Sequence, residues 1–265
     1  MIENWIRVFE TSRGWDAAIL ALVSVALFIA ASNVKWSITR APNSSLNQQL
    51  TRAAAQPVIR ALFEIVRLLY YIGIPFAALY FGWIDLRAFG LVISDWAEGV
   101  RWAIVIFLAA WLLLMVVWLP YLRATADVYA TPATQFSFPR RLVELIYMQA
   151  HWAFYRAAAI VFLTSSIPDA YYWGAVVGLG LTAIEALASP RIRERLTRIG
   201  EADGIVWNAG QAVINALGFV VTRNLYLLIL IHFLLELSVP HLRAQARERT
   251  LTSPTRAQPQ RIRES

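Results

Sequence analysis

The sequence predicts an all-α fold, a polytopic transmembrane bundle of about seven spans with its N-terminus outside and its C-terminus in the cytoplasm. Three observations lead there. Of 265 residues, 58% are hydrophobic and 15% charged, with a mean hydropathy of +0.53, which is not the composition of a soluble domain or of a disordered chain. The apolar residues gather in runs close to the roughly 20 residues that carry a helix across about 30 Å of hydrocarbon. Basic residues, finally, fall mainly on alternate connections. The chain has no cysteine, which excludes a disulfide scaffold, a thiol nucleophile, a cysteine zinc site and c-type haem attachment.

Taken in order, the expected spans are 16–34, 62–83, 102–122, 142–163, 169–188, 205–222 and 225–241. No cleaved signal is expected before the first, because Glu3, Arg7, Glu10, Arg13 and Asp16 do not make a basic leader. The second carries Glu64 and Arg67 early and Pro75 at mid-span, where a kink is expected. The third has no charge and is the clearest. The fourth, fifth and seventh hold ionisable residues, and the sixth is short and rich in Asn and Gln.

Charge sets the orientation. Seven spans with the N-terminus outside place 17 Lys and Arg residues on cytoplasmic segments and five on outer ones. That is the expected bias for a cytoplasmic C-terminus and an odd number of crossings. The surplus of +7 is thus explained by topology, and no nucleic-acid partner is implied. The basic loops and tail suit anionic lipid. One transmembrane domain, 1–242, is expected, followed by a basic, unstructured cytoplasmic tail, 243–265. Residues 35–61 read as a long polar connection and 84–101 as an interfacial piece anchored by Trp83, Trp96 and Trp102. Residues 189–204 read as a charged hairpin.

Ionisable groups within spans cost about 2.5–3.5 kcal/mol each on insertion scales, so each needs a partner or a task. Span four holds Glu144, His151 and Arg156; span five holds Glu185; span seven holds His232 and Glu236, spaced i, i+4 on one face, with His241 at its watery end. Asn208, Gln211 and Asn215 lie along one side of span six. At 1.5 Å per residue, His151 and His232 both stand about 13 Å above the inner boundary. Convergence of these groups in one cytoplasm-facing cavity is expected. One reading is a structural polar cluster (Arg156, Asn208, Gln211, Asn215) in which side chains tie helices together at about 0.6 kcal/mol per bond. In it, Arg156 pairs with a carboxylate or carbonyls, and Glu144 sits near Arg140 and Arg141. The other is a metal or catalytic site, with His151, His232 and Glu236 as ligands and Glu185 or Glu236 as base. The pair Gly174/Gly178 permits close helix contact.

Residues 216–239 (ALGFVVTRNLYLLILIHFLLELSV) resemble the C-terminal signature of the CPBP family, the CAAX proteases and bacteriocin-processing membrane proteins. His232 matches that signature's His, and Glu236 stands where Asn is usual. Residues 151–157 (HWAFYRA) are similar to the Glu-Glu-x-x-x-Arg motif: Arg156 matches, while His151 and Trp152 occupy the glutamate positions. Residues 82–91 (GWIDLRAFGL) resemble the linker before the family core, and Ile184–Ala188 falls where a Phe-x-x-x-His motif belongs, with neither residue kept. The resemblance runs over about 75–241. It implies a fold whose glutamate pair and two histidines build a metal-dependent hydrolytic centre. Because both glutamates and one histidine are absent here, it implies a protein that has lost that chemistry. The expected function is a non-catalytic scaffold or accessory subunit among other membrane subunits in the inner (cytoplasmic) membrane of a bacterium. The alternatives are an intramembrane zinc-dependent peptidase with a variant ligand set, or a subunit holding a tetrapyrrole (haem or chlorophyll) through His151 or His232.

Overall fold

The computed structural model describes residues 2–40, 45–92, 95–124, 138–198 and 201–252. Every regular element among them is a helix. In order these are α1 (Ile2–Thr39), α2 (Ser45–Ala55), α3 (Pro57–Leu68), α4 (Ile74–Tyr80), α5 (Leu86–Phe89), α6 (Trp96–Leu113), α7 (Leu119–Ala124), α8 (Phe138–Leu163), α9 (Ala170–Ala188), α10 (Pro190–Leu196), α11 (Ala202–Thr222) and α12 (Leu225–Thr252). A π-helical turn, Leu69–Gly73, joins α3 to α4, and a second, Leu114–Trp118, joins α6 to α7. Each ends two residues before a proline, Pro75 or Pro120. A proline has no N–H and its ring collides with the carbonyl four residues back, so the i→i−4 ladder must open, and a π turn is one way to open it. The kink expected at Pro75 takes this form.

Five segments are long and apolar enough to cross a membrane: Ser12–Thr39, Pro57–Tyr80, Trp96–Ala124, Ala170–Ala188 and Ala202–Thr222. The chain is a multi-pass membrane protein by length and composition. The other two expected spans are helical as well, but α8 is too polar to count among the five and the apolar part of α12, Leu225–Ser238, is short. The reason for the polarity of α8 is its position. Ala153–Ile160 is an unbroken buried run, and α8 packs against α1, α5, α9 and α12. A helix that faces protein rather than lipid need not be apolar all round.

The tightest packing is between α8 and α9. A Cβ on Gly174 would lie 2.9 Å from the backbone nitrogen of Ile160, and one on Gly178 would lie 2.7 Å from the Cα of Arg156. No side chain fits at either crossing, which is how a small-xxx-small pair brings two backbones together.

Cross-contacts fix the two ends of the bundle. Trp15 packs on Phe162, Leu225 donates its N–H to the Gly90 carbonyl at 2.9 Å, and α5 packs on α8, so the start of the apolar segment Ser12–Thr39, the end of α8, α5 and the α11–α12 turn share one end. Ser32 bonds Ser189 at 2.7 Å and Tyr121 donates to Asp203 at 2.6 Å, which puts the ends of α1, α7 and α9 with the start of α11 at the other.

Three connections differ from expectation. Residues 35–61 are largely helical, running from the end of α1 through α2 into α3, which opens on Pro57, a residue suited to a first helical turn. Within 84–101, Ile84, Ala88 and Phe89 are buried while Leu86 and Arg87 are exposed, so the amphipathic α5 packs one face into the bundle. Asp85 caps it by accepting from the Ala88 N–H at 2.6 Å, and Gly90, at φ 91°, closes it where a Cβ would strike the Phe219 ring at 2.8 Å. Finally, α12 continues to Thr252, ten residues into the stretch expected to be an unstructured tail. The rest of that tail, 253–265, and the side chain of His241 lie outside the described residues.

Candidate functional site

The ionisable residues expected to meet in one cavity sit on separate faces of α8. On one face, His151 Nε2 and Glu185 Oε2 are 3.0 Å apart, both buried. Three tyrosine rings surround the imidazole: Tyr70 and Tyr71 at 5.1 Å between centroids and Tyr155 at 4.3 Å. Tyr70 and Tyr71 are consecutive, and both reach His151 from within the π turn. Beyond them, Tyr70 donates its hydroxyl to the Ser24 carbonyl at 3.1 Å, and Ser24 Oγ lies 3.2 Å from that hydroxyl and 3.4 Å from Tyr155. The Nδ1 of His151 has no partner among the described residues.

On the opposite face, Gln149 Nε2 donates to His232 Nδ1 at 2.8 Å. An amide nitrogen can only donate, so Nδ1 is the acceptor and the imidazole proton sits on Nε2. The His232 ring lies parallel to Trp152, with centroids 5.7 Å and planes 4° apart. Residues 149 and 152 flank 151 on the helix surface by roughly 100–200° of rotation, so α8 itself separates His151 from His232.

Glu236, one turn below His232, accepts from Trp207 Nε1 at 2.7 Å and is half-buried. Arg156 does not pair with a carboxylate among the described residues. Its guanidinium carbon stands 3.5 Å over the centre of the Phe219 ring, and its Nε and Nη2 are buried without partners. It lines a cavity of about 10 Å³ with Trp152, Gly178, Thr182 and Asn215, a volume near that of one water centre. Gln211 and Asn215 are buried, with Asn215 Nδ2 donating to the Gln211 carbonyl at 3.1 Å, whereas Asn208 is exposed. The polar stripe of span six is therefore split. Glu144 takes Arg67 Nη2 at 2.5 Å across the α3–α8 contact, and Arg67 also covers Tyr147.

These positions decide what the site can hold. The motif positions 151, 152 and 232 offer one histidine already bonded to Glu185, one tryptophan and one histidine already bonded to Gln149. Among the described residues, no three His, Asp or Glu side chains gather as a metal-ligand set. The residues present do not fit the metal that the family resemblance implies, which needs several ligands and an open position. Nor is either imidazole presented to one of the two described cavities, as an axial ligand to a tetrapyrrole would be. The sequence reading missed Gln149 and the tyrosines, and gave Trp152 only its place in the motif. Gln149 was visible as a fourth polar side chain within span four; the tyrosines were not, because their approach depends on the π turn.

No protein-family model matches the chain, and neither curated proteins nor solved structures give a match.

Proposed function

We propose that the protein crosses the cytoplasmic membrane seven times, N-terminus outside, and acts as a non-catalytic, CPBP-like accessory subunit of a membrane protein complex. The observation that carries this reading is the stacking of His232 on Trp152. In the family pattern, these two positions belong to a histidine and a glutamate of one centre. Their contact across α8 and α12 supports the resemblance, and their chemistry argues against its activity. Water activation needs a metal with an open position and a carboxylate base; here the imidazole's Nδ1 is engaged by Gln149 and its face by an indole. Seven crossings are supported by the alternating end-to-end contacts of the helices and by the segregation of basic residues. The apolar outer faces of α3, α6 and α9 leave ample area for partner helices.

A second reading, a peptidase with a variant ligand set, draws on the His151–Glu185 contact, a histidine oriented by a carboxylate with its other nitrogen unpartnered. One preparation separates the two. The protein is solubilised gently from its native membrane, weighed as an assembly and assayed for bound metal and for cleavage of membrane peptides. The accessory reading expects stoichiometric partner chains and no turnover. A lone monomer with stoichiometric metal and turnover contradicts it.

A further inference from the structure

A cavity of about 690 Å³ opens at the end of the bundle that holds the α8–α9 and α11–α12 turns. It is lined by Asp169, Tyr171, Tyr172, Trp173, Val220 and Arg223. Its two charged residues have opposite sign, and among the described residues neither forms an ion pair. Both are held at positive φ, 60° for Asp169 and 48° for Arg223, the left-handed region that a turn usually gives to Gly or Asn. Arg223 ends α11 there, with its N–H donating to the Phe219 carbonyl at 2.9 Å and its guanidinium 4.4 Å over the Tyr171 ring. Asp is a regular occupant of this region and Arg is not, so Arg223 is the less usual of the two; both side chains line the one cavity. Asp85 and Arg87, at the start of the neighbouring α5, bring one further charge of each sign near the Tyr171 hydroxyl.

The setting defines the ligand. Tyr172 and Trp173 are about half exposed (48% and 47%) at the mouth of a membrane-crossing helix, the level at which aromatic rings meet headgroups. Val176 and Val177, further along α9, and Leu217 on α11 are exposed apolar surface running toward the membrane interior. A cation held over a ring, an exposed carboxylate at the same cavity and ring faces at the end of the spans, above apolar helix faces, match a zwitterion carrying acyl tails. We propose that this cavity binds the headgroup of a zwitterionic phospholipid. The phosphate takes the Arg223 guanidinium, and the ammonium faces Asp169 and the aromatic rings. An anionic headgroup would gain Arg223 but would be repelled by Asp169. The proposal depends on the bundle lying in a membrane and not on whether the protein is an accessory subunit.

The test is native mass spectrometry of the full chain, delipidated in detergent and titrated with phosphatidylethanolamine, phosphatidylglycerol and diacylglycerol of the same acyl chains. One phosphatidylethanolamine per chain is expected, bound roughly tenfold more tightly than either other lipid. Asp169→Asn and Arg223→Asn, the latter keeping a residue tolerant of positive φ, are each expected to weaken it about tenfold, with helicity by circular dichroism unchanged. Phosphatidylglycerol binding as well as phosphatidylethanolamine, or Asp169→Asn binding like the parent, overturns the proposal. So does free phosphoethanolamine binding as tightly as the lipid, which would assign the cavity to a soluble zwitterion.

Discussion

The imidazole of His232 and the indole of Trp152 form a parallel stack between α12 and α8, and Gln149, one turn before Trp152, holds the imidazole by its Nδ1. Three buried or half-buried groups thus satisfy one another at a point where a hydrolytic centre of the resembled family would need open ligands. A bond of this kind between membrane helices is worth about 0.6 kcal/mol on average and up to about 1.7. The double-mutant cycle Gln149→Leu, His232→Leu is expected to return a coupling within that range, measured by unfolding in mixed micelles. The single change His232→Leu is the costlier of its uses, at about 1–3 kcal/mol, because it strands a buried amide.

Gly178 and Gly180 make a matched pair for testing the α8–α9 crossing. A Cβ at 178 would stand 2.7 Å from the Arg156 Cα, and backbone cannot step aside, whereas a Cβ at 180 meets nothing within 4 Å. Gly178→Ala is expected to destabilise by about 1–3 kcal/mol. Gly180→Ala should be neutral or slightly stabilising, since alanine is the better helix former. Thermal unfolding in detergent reads both. Equal effects at the two sites would contradict the packing described.

The close glycine crossing was legible in the sequence because it needs only a spacing. So were the five segments long and apolar enough to cross a membrane, from the length of their apolar runs. What was not legible is which way polar side chains turn. His151 and His232 stand at the same expected depth, yet the body of α8 lies between them, and depth carries no information about azimuth. Asn208 shares a stripe of about 60° of helix surface with Gln211 and Asn215, but it lies nearer the start of α11, where Val206, Ala209 and Gly210 are exposed as well. Glu144 has arginines next to it in sequence and finds Arg67 on another helix. The π turn that aims both Tyr70 and Tyr71 at His151 leaves no mark in the sequence beyond the proline that follows it.

The His151–Glu185 contact has a graded test. Glu185→Gln keeps an acceptor and donor in place, while Glu185→Ala leaves both nitrogens of a buried imidazole without partners. The alanine variant is expected to lose about 1–3 kcal/mol and the glutamine variant less than half as much. The same unfolding assay reads the difference, and the reverse order would show that the two side chains are not bonded.

Arg67 and Glu144 are each about one-third exposed, and such pairs contribute about 0–1 kcal/mol. Reversing both charges (Arg67→Glu with Glu144→Arg) should recover most of what either reversal loses alone. Failure of the double reversal to recover anything would place the two residues apart.

Because the chain has no cysteine, topology can be mapped with single introduced thiols against a silent background. Ser166, between α8 and α9, and Thr197, after α10, lie on opposite sides in a seven-crossing bundle. Ser166→Cys is expected to react with an impermeant maleimide on intact cells, and Thr197→Cys only after permeabilisation. The opposite pattern would invert the orientation, and equal labelling would mean that α9 does not cross.

The most direct test of the account is the metal content of the protein purified from its own membrane, before and after His232→Ala. With His232 bonded to Gln149 and stacked on Trp152, no stoichiometric metal is expected in either preparation. One zinc ion per chain in the parent, lost in the variant, would contradict the account and favour the peptidase reading.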